Sequence, residues 1–176
     1  MVVIAGGLGG CVAVKSVRKE ELPAAWQAAL PRPNTEPGDI SGIYRAQGQY
    51  AHGDGKLVAG NLSSTFFAGK PVRATRIEVR LTASGQLVVT ALDGRLRGIS
   101  ATYQTEKDPA TGSILVKDID LDPANKFGAT ATSDRVRLLA GSDRALYVES
   151  TSYGGGVVLF VPAVGYLHSW SRYERE

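Results

Sequence analysis

Arg76-Ile77-Glu78-Val79-Arg80-Leu81 alternates charged and aliphatic side chains position by position. Successive side chains of a strand point to opposite faces, so Ile77, Val79 and Leu81 line a buried face and Arg76, Glu78 and Arg80 a wet one. Working outward, Thr82-Ala83-Ser84-Gly85 turns the chain into Gln86 to Leu92, and Asp93-Gly94 turns it toward Arg97 to Thr105. Asp108-Pro109-Ala110-Thr111-Gly112 precedes a run from Ser113 to Leu121. Later β-rich runs cover Asp134 to Ala140, Ala145 to Ser152, Gly156 to Val161 and Gly165 to Tyr173, separated by Gly141-Ser142-Asp143, Gly154-Gly155 and Pro162. Upstream, Ser41 to Gln49 opens the series. Asn61 to Phe67 fits a helical turn or a strand equally, and Phe66-Phe67 fits core or interface.

About nine short strands with turns every 8 to 12 residues are the pattern of an all-β sandwich or barrel. No helical pattern lies between them, and parallel neighbours need long crossovers. The sheet is therefore expected to be an antiparallel up-and-down meander. So many strands leave long edges exposed unless the sheet curls, which points to a barrel or a curved half-barrel. One short N-terminal helix is expected from Glu20 to Leu30: acids and Pro23 at its start, alanine-rich thereafter, with Leu22, Trp26, Ala29 and Leu30 on one face. Trp26 reads as the anchor that packs this helix on the domain.

With 176 residues the chain fits one domain, and 43% hydrophobic and 21% charged residues are ordinary for a globular one. The net charge of +3 is too small and too dispersed for nucleic-acid binding. Arg73, Arg76, Arg80, Arg95 and Arg97 read as the solvated faces of strands. No later stretch holds ~18 consecutive apolar residues, as a spanning helix would.

The N-terminus is apolar through Met1-Val2-Val3-Ile4-Ala5-Gly6-Gly7 and continues as Leu8-Gly9-Gly10-Cys11. An apolar core followed by small residues has the shape of a secretory signal. No basic side chain precedes Lys15, where such signals ordinarily open on positive charge. As a dinucleotide-binding turn the same run fails, because Ala5 stands at the first glycine of G-x-G-x-x-G and Pro23, Pro31, Pro33 and Pro37 follow in place of a βαβ unit.

Leu8-Gly9-Gly10-Cys11 resembles the lipobox of bacterial lipoproteins, where a large aliphatic residue and two small ones precede the cysteine that becomes lipidated and N-terminal. The resemblance implies residues 1–10 as signal peptide, Cys11 as lipidation site, and Val12, in place of an aspartate, as the mark of outer-membrane delivery facing the periplasm. Residues 11–38 are then a lipidated tether, the short helix and a proline-rich linker, and 39–176 the β domain. The strand order looks lipocalin-like in outline. Ile40-Ser41-Gly42-Ile43-Tyr44 and Trp170-Ser171-Arg172-Tyr173 look like the opening and closing strings of small bacterial envelope lipoproteins, a family that implies no reaction.

Cys11 is the only cysteine, so no internal disulfide can form. Of the two histidines, His52 lies in a glycine-rich loop and His168 in the last strand, on one face with Tyr166, Trp170 and Arg172. No G-x-S-x-G elbow occurs, and a hydrolase would need His168 joined to a carboxylate and a hydroxyl. Asp118, Asp120 and Asp122 alternate along a run expected to be extended and form a weak candidate for a hard cation, though Pro123 and Ala129 break the EF-hand pattern. Solvated acids on an edge strand explain them better, so no metal is expected, and no cofactor. Gly154-Gly155-Gly156 reads as a hairpin turn. The expected function is a non-enzymatic one: a lipid-anchored envelope domain binding a small apolar molecule or an envelope protein. The alternatives are a structural subunit pairing through a sheet edge and a periplasmic hydrolase.

Overall fold

The computed structural model describes residues 11–32, 38–51, 56–67, 72–93, 96–119, 131–158 and 161–176. Its strands are β1 (Cys11–Ser16), β2 (Gly42–Arg45), β3 (Gln47–Ala51), β4 (Leu57–Asn61), β5 (Arg76–Leu81), β6 (Gln86–Asp93), β7 (Leu96–Lys107), β8 (Ile114–Val116), β9 (Ala131–Ala140), β10 (Leu146–Val158) and β11 (Val161–Tyr173). Two short helices, α1 (Ala24–Ala29) and α2 (Leu62–Phe66), and one 3-10 turn at Lys19–Glu21 complete the described elements. None of the described helices is long and apolar enough to cross a membrane.

From β5 to β11 every strand pairs antiparallel with the next, the expected meander. Alternation along β5 holds: Ile77 and Val79 are buried while Arg80 is exposed. Gly85 and Gly112 take positive φ in the turns before β6 and β8, where a side chain would be strained. In the turn after β9 the left-handed position falls to Arg144 rather than to Gly141.

The segment from Gly42 to Ala51 curls the sheet on itself. One side of β2 pairs with β5. On its other side the Arg45 amide donates to the Glu174 carbonyl and the Glu176 amide to the Ile43 carbonyl, both at 2.9 Å, just past the end of β11. Beyond Ala46, β3 pairs with β11 from Gln49↔Arg172 to Ala51↔Trp170 and gives its other side to β4. The first and last strands of the meander are thus joined through one kinked segment, and the curl opens where β4 replaces β5.

Inside, Ile77, Leu87, Val89, Val136, Leu138 and Leu146 are fully buried with Tyr44 and Tyr173. Each aliphatic side chain so buried stabilises the fold by about 1.5–3 kcal/mol. Helix α2 settles the ambiguous stretch: the Asn61 side chain caps it by accepting from the Ser63 amide at 2.8 Å, and Leu62, Phe66 and Phe67 all enter the core.

Three expectations are corrected. Gly154-Gly155-Gly156 is no turn: it lies within β10, which runs on from the expected Ala145 to Ser152 strand and pairs without interruption from Leu146↔Tyr173 to Val158↔Val161. Pro162 lies inside β11, not between strands, opposite Val157 of β10. Residues 11–16, expected as tether, form a strand paired in parallel with β11, from Cys11↔Ala163 to Ser16↔His168. Helix α1 is likewise docked. Val17, Leu22, Trp26, Ala29 and Leu30 pack on Ala51, Ala145, Tyr147 and Trp170 outside the curl, with Trp26 edge-on to Tyr147 at 5.8 Å.

Candidate functional site

The site lies on the outer face of β9, β10 and β11. Alternation turns Val136, Leu138, Leu146 and Val148 inward, so Arg137, Glu149 and His168 project outward. Helix α1 covers this face at Tyr147 and Trp170; beside it lies a groove of about 350 Å³ lined by Arg135, Arg137, Glu149, Thr151, Tyr166 and His168. Past His168 it continues into a recess of about 220 Å³ reached by Lys19, Leu139 and Trp170.

Glu149 is the centre. Arg137 is its direct cross-strand partner on β9, with Nη1 3.4 Å from Oε2. His168 is its diagonal neighbour on β11, with Nε2 2.8 Å from Oε1. The expected face of β11 is observed, since the His168 ring lies between those of Tyr166 and Trp170, tilted to each, at centroid distances of 6.5 and 6.1 Å. Burial pushes the Glu149 carboxyl up, but the hydrogen bond to His168 and the charges of His168 and Arg137 outweigh it and hold the group below the ordinary carboxylate range.

A depressed carboxylate contributes stability that is complete above its unfolded pKa and disappears as pH falls through the lower folded value. Glu149→Gln is therefore expected to flatten the acid side of the melting-temperature profile relative to wild type, with the difference widest above the ordinary carboxylate range. Parallel profiles from acid to neutral pH would refute the coupling.

Two donors stand ready beside this neutralised carboxylate. The Trp170 indole, 5% exposed, has no partner for Nε1 among the described residues. Arg135 is exposed on the groove wall with no ion pair to a described residue. With Glu149 already engaged by two cationic or proton-donating neighbours, the surplus in the groove is of donors and positive charge. Such a surface receives an anionic group.

No family model, curated protein or solved structure matches the chain. The geometry has to speak alone.

His168 is thus joined to a carboxylate, one part of what a hydrolase needs. The hydroxyl opposite it is that of Thr151, its cross-strand partner. Among the cation candidates, β8 ends at Val116 and Asp118 is exposed at φ 55, so the strand alternation that grouped the three acids does not reach it. Asp120, Asp122 and His52 lie outside the described residues. Among the described residues no group of three His, Cys, Asp or Glu could hold a metal. Cys11 begins β1 opposite Ala163. Sequence reasoning missed Glu149, Arg137 and Arg135, whose meeting depends on the register of β9 with β10.

Proposed function

We propose that this protein is a lipid-anchored domain of the cell envelope, held at the outer membrane through Cys11, that binds an acidic group of an envelope partner in the groove between β9 and β11. The anchor is supported by Leu8-Gly9-Gly10-Cys11. The observation that carries the binding reading is the buried Trp170 Nε1, without a partner among the described residues, on a side chain that lines a recess together with Arg137 and Lys19. A buried donor without an acceptor costs about 1–3 kcal/mol, a cost that a bound carboxylate would remove. A small apolar ligand is the weaker reading, because the described interior of the curl is filled by the protein's own side chains. The reading requires no turnover.

Two measurements test it. Intact mass of wild type beside Cys11→Ala should show acyl mass in the first and none in the second; a wild type without acyl mass would remove the anchor. Titration with a tetraglutamate peptide should shift the Trp170 indole N–H resonance, tetraglutamine should not, and Arg137→Gln should weaken the glutamate response about tenfold or more, as loss of a charge-assisted bond implies. Equal responses to both peptides would defeat the binding reading.

A further inference from the structure

Between Glu149 and His168 the chain carries no charged side chain over 18 residues. These residues form the far half of the β10–β11 hairpin. The register shows that the strands beside it lose their charge at the same level. Lys15 on β1 pairs with Leu167, Leu167 with Ser152, and Ser152 with Asp134 on β9. These four make one transverse row, and its ends are the last charged residues on their strands. The next row toward the tip is Val14, Tyr166, Tyr153 and Ser133. Beyond it, β1 offers only Cys11, Val12 and Ala13, β9 only Ala131 and Thr132, and the described hairpin only glycine, alanine, valine and Pro162.

We infer that this end of the four strands enters the lipid bilayer, with Tyr153 and Tyr166 at the level of the headgroups. Three independent features agree on the occupant. A charged row, an aromatic row and a charge-free tip follow in the order that water, interface and hydrocarbon impose on membrane proteins. Tyr153 is 51% exposed and Leu167, on the opposite face one row back, 39%, so at this level a large apolar or aromatic side chain is exposed on each face of the hairpin. Cys11 lies on the same side of the aromatic row, opposite Ala163. It is three residues past that row, about 10 Å at the usual rise per residue, and Val158 is five residues past it, about 17 Å. An acyl chain on Cys11 would therefore start below the headgroups rather than at the end of a spacer.

This inference rests on the anchor reading for its choice of a bilayer, but its test does not need the lipid. Full-length Cys11→Ala protein is floated with vesicles of phosphatidylethanolamine and phosphatidylglycerol. It should float, and adding Val158→Asp should cut the floating fraction about tenfold, as expected when an aliphatic side chain can no longer leave water. Val58→Asp, exposed on β4 away from the tip, should leave flotation unchanged. Near-ultraviolet circular dichroism of each variant checks the fold, and Val158→Trp supplies a readout without a new charge: its added fluorescence should be quenched by lipids brominated along the acyl chain. A Cys11→Ala protein that stays out of the vesicles, or Val158→Asp floating like its parent, would overturn the inference whatever the mass of Cys11. An unlipidated wild-type Cys11 with flotation that still depends on Val158 would overturn the anchor alone.

Discussion

Trp26→Ala is expected to lower the unfolding free energy by about 3–5 kcal/mol, the range for truncating a buried tryptophan. The ring is 4% exposed, at the centre of the cluster that clamps residues 17–30 onto β10 and β11, and stands at 80° to Tyr147. Edge-on aromatic pairs add about 0.5–1.5 kcal/mol beyond the area they bury. Against a total stability of about 5–15 kcal/mol the loss would be large. It has a spatial signature as well: Tyr147 also bonds Asp143, which holds Arg172 through Nη2 at 2.9 Å, so releasing α1 uncovers the wall on which this network rests. Denaturant melts give the magnitude, and trypsin cleavage at Arg18 and Lys19 should accelerate. Gln27→Ala, on the exposed side of the same helix, where the side-chain amide donates to the Glu20 and Leu22 carbonyls, should cost about 1 kcal/mol. A Trp26→Ala protein as stable as Gln27→Ala would mean that the helix is a passenger.

Much of the architecture could be read from the chain because period-two alternation is a local property. Arg76 to Leu81 carries it, and Gly85 marks the turn that follows. Trp26 and the inner face of β5 could be placed for the same reason. What escaped was non-local or contrary to propensity. Leu57 to Asn61 pairs only because β3 lies beside it, and nothing in Leu57-Val58-Ala59-Gly60-Asn61 alternates. Three consecutive glycines suggest a turn, yet neighbours on both sides of β10 hold them extended. Residues 11–16 read as a tether because their partner is some 150 positions away. The groove was half legible: the face of His168 followed from alternation, but the carboxylate it meets was set by the register of two hairpins, which local sequence does not specify.

Gly48→Ala should destabilise this protein by about 3 kcal/mol or more, the addition of a single methyl group. Overpacking usually costs about 1–3 kcal/mol because side chains can shift. Here one of the obstructing atoms cannot. A Cβ on Gly48 would fall within 2.8 Å of Tyr173 Cε1 and closer still to the Arg172 carbonyl oxygen, which belongs to the β11 backbone paired with β3. Tyr173 is itself 2% exposed in the core, buried deeply enough that its hydroxyl pKa is pushed up to about 12. To admit the methyl, β3 would have to part from β11, and that contact joins the last strand to the first. Gly60, the cross-strand partner of Gly48, is the control: its Cβ would meet Tyr50 Cβ at 3.3 Å and Tyr173 Oη at 3.4 Å, separations that small side-chain shifts relieve. Gly60→Ala should therefore cost no more than about 1 kcal/mol. Combining Gly48→Ala with Tyr173→Leu removes the ring but not the carbonyl, so a double-mutant cycle should show only partial rescue. Full rescue would place the clash on the ring alone. A Gly48→Ala protein within about 0.5 kcal/mol of wild type, the usual scatter for a surface change, would show that β3 does not close the sheet against β11.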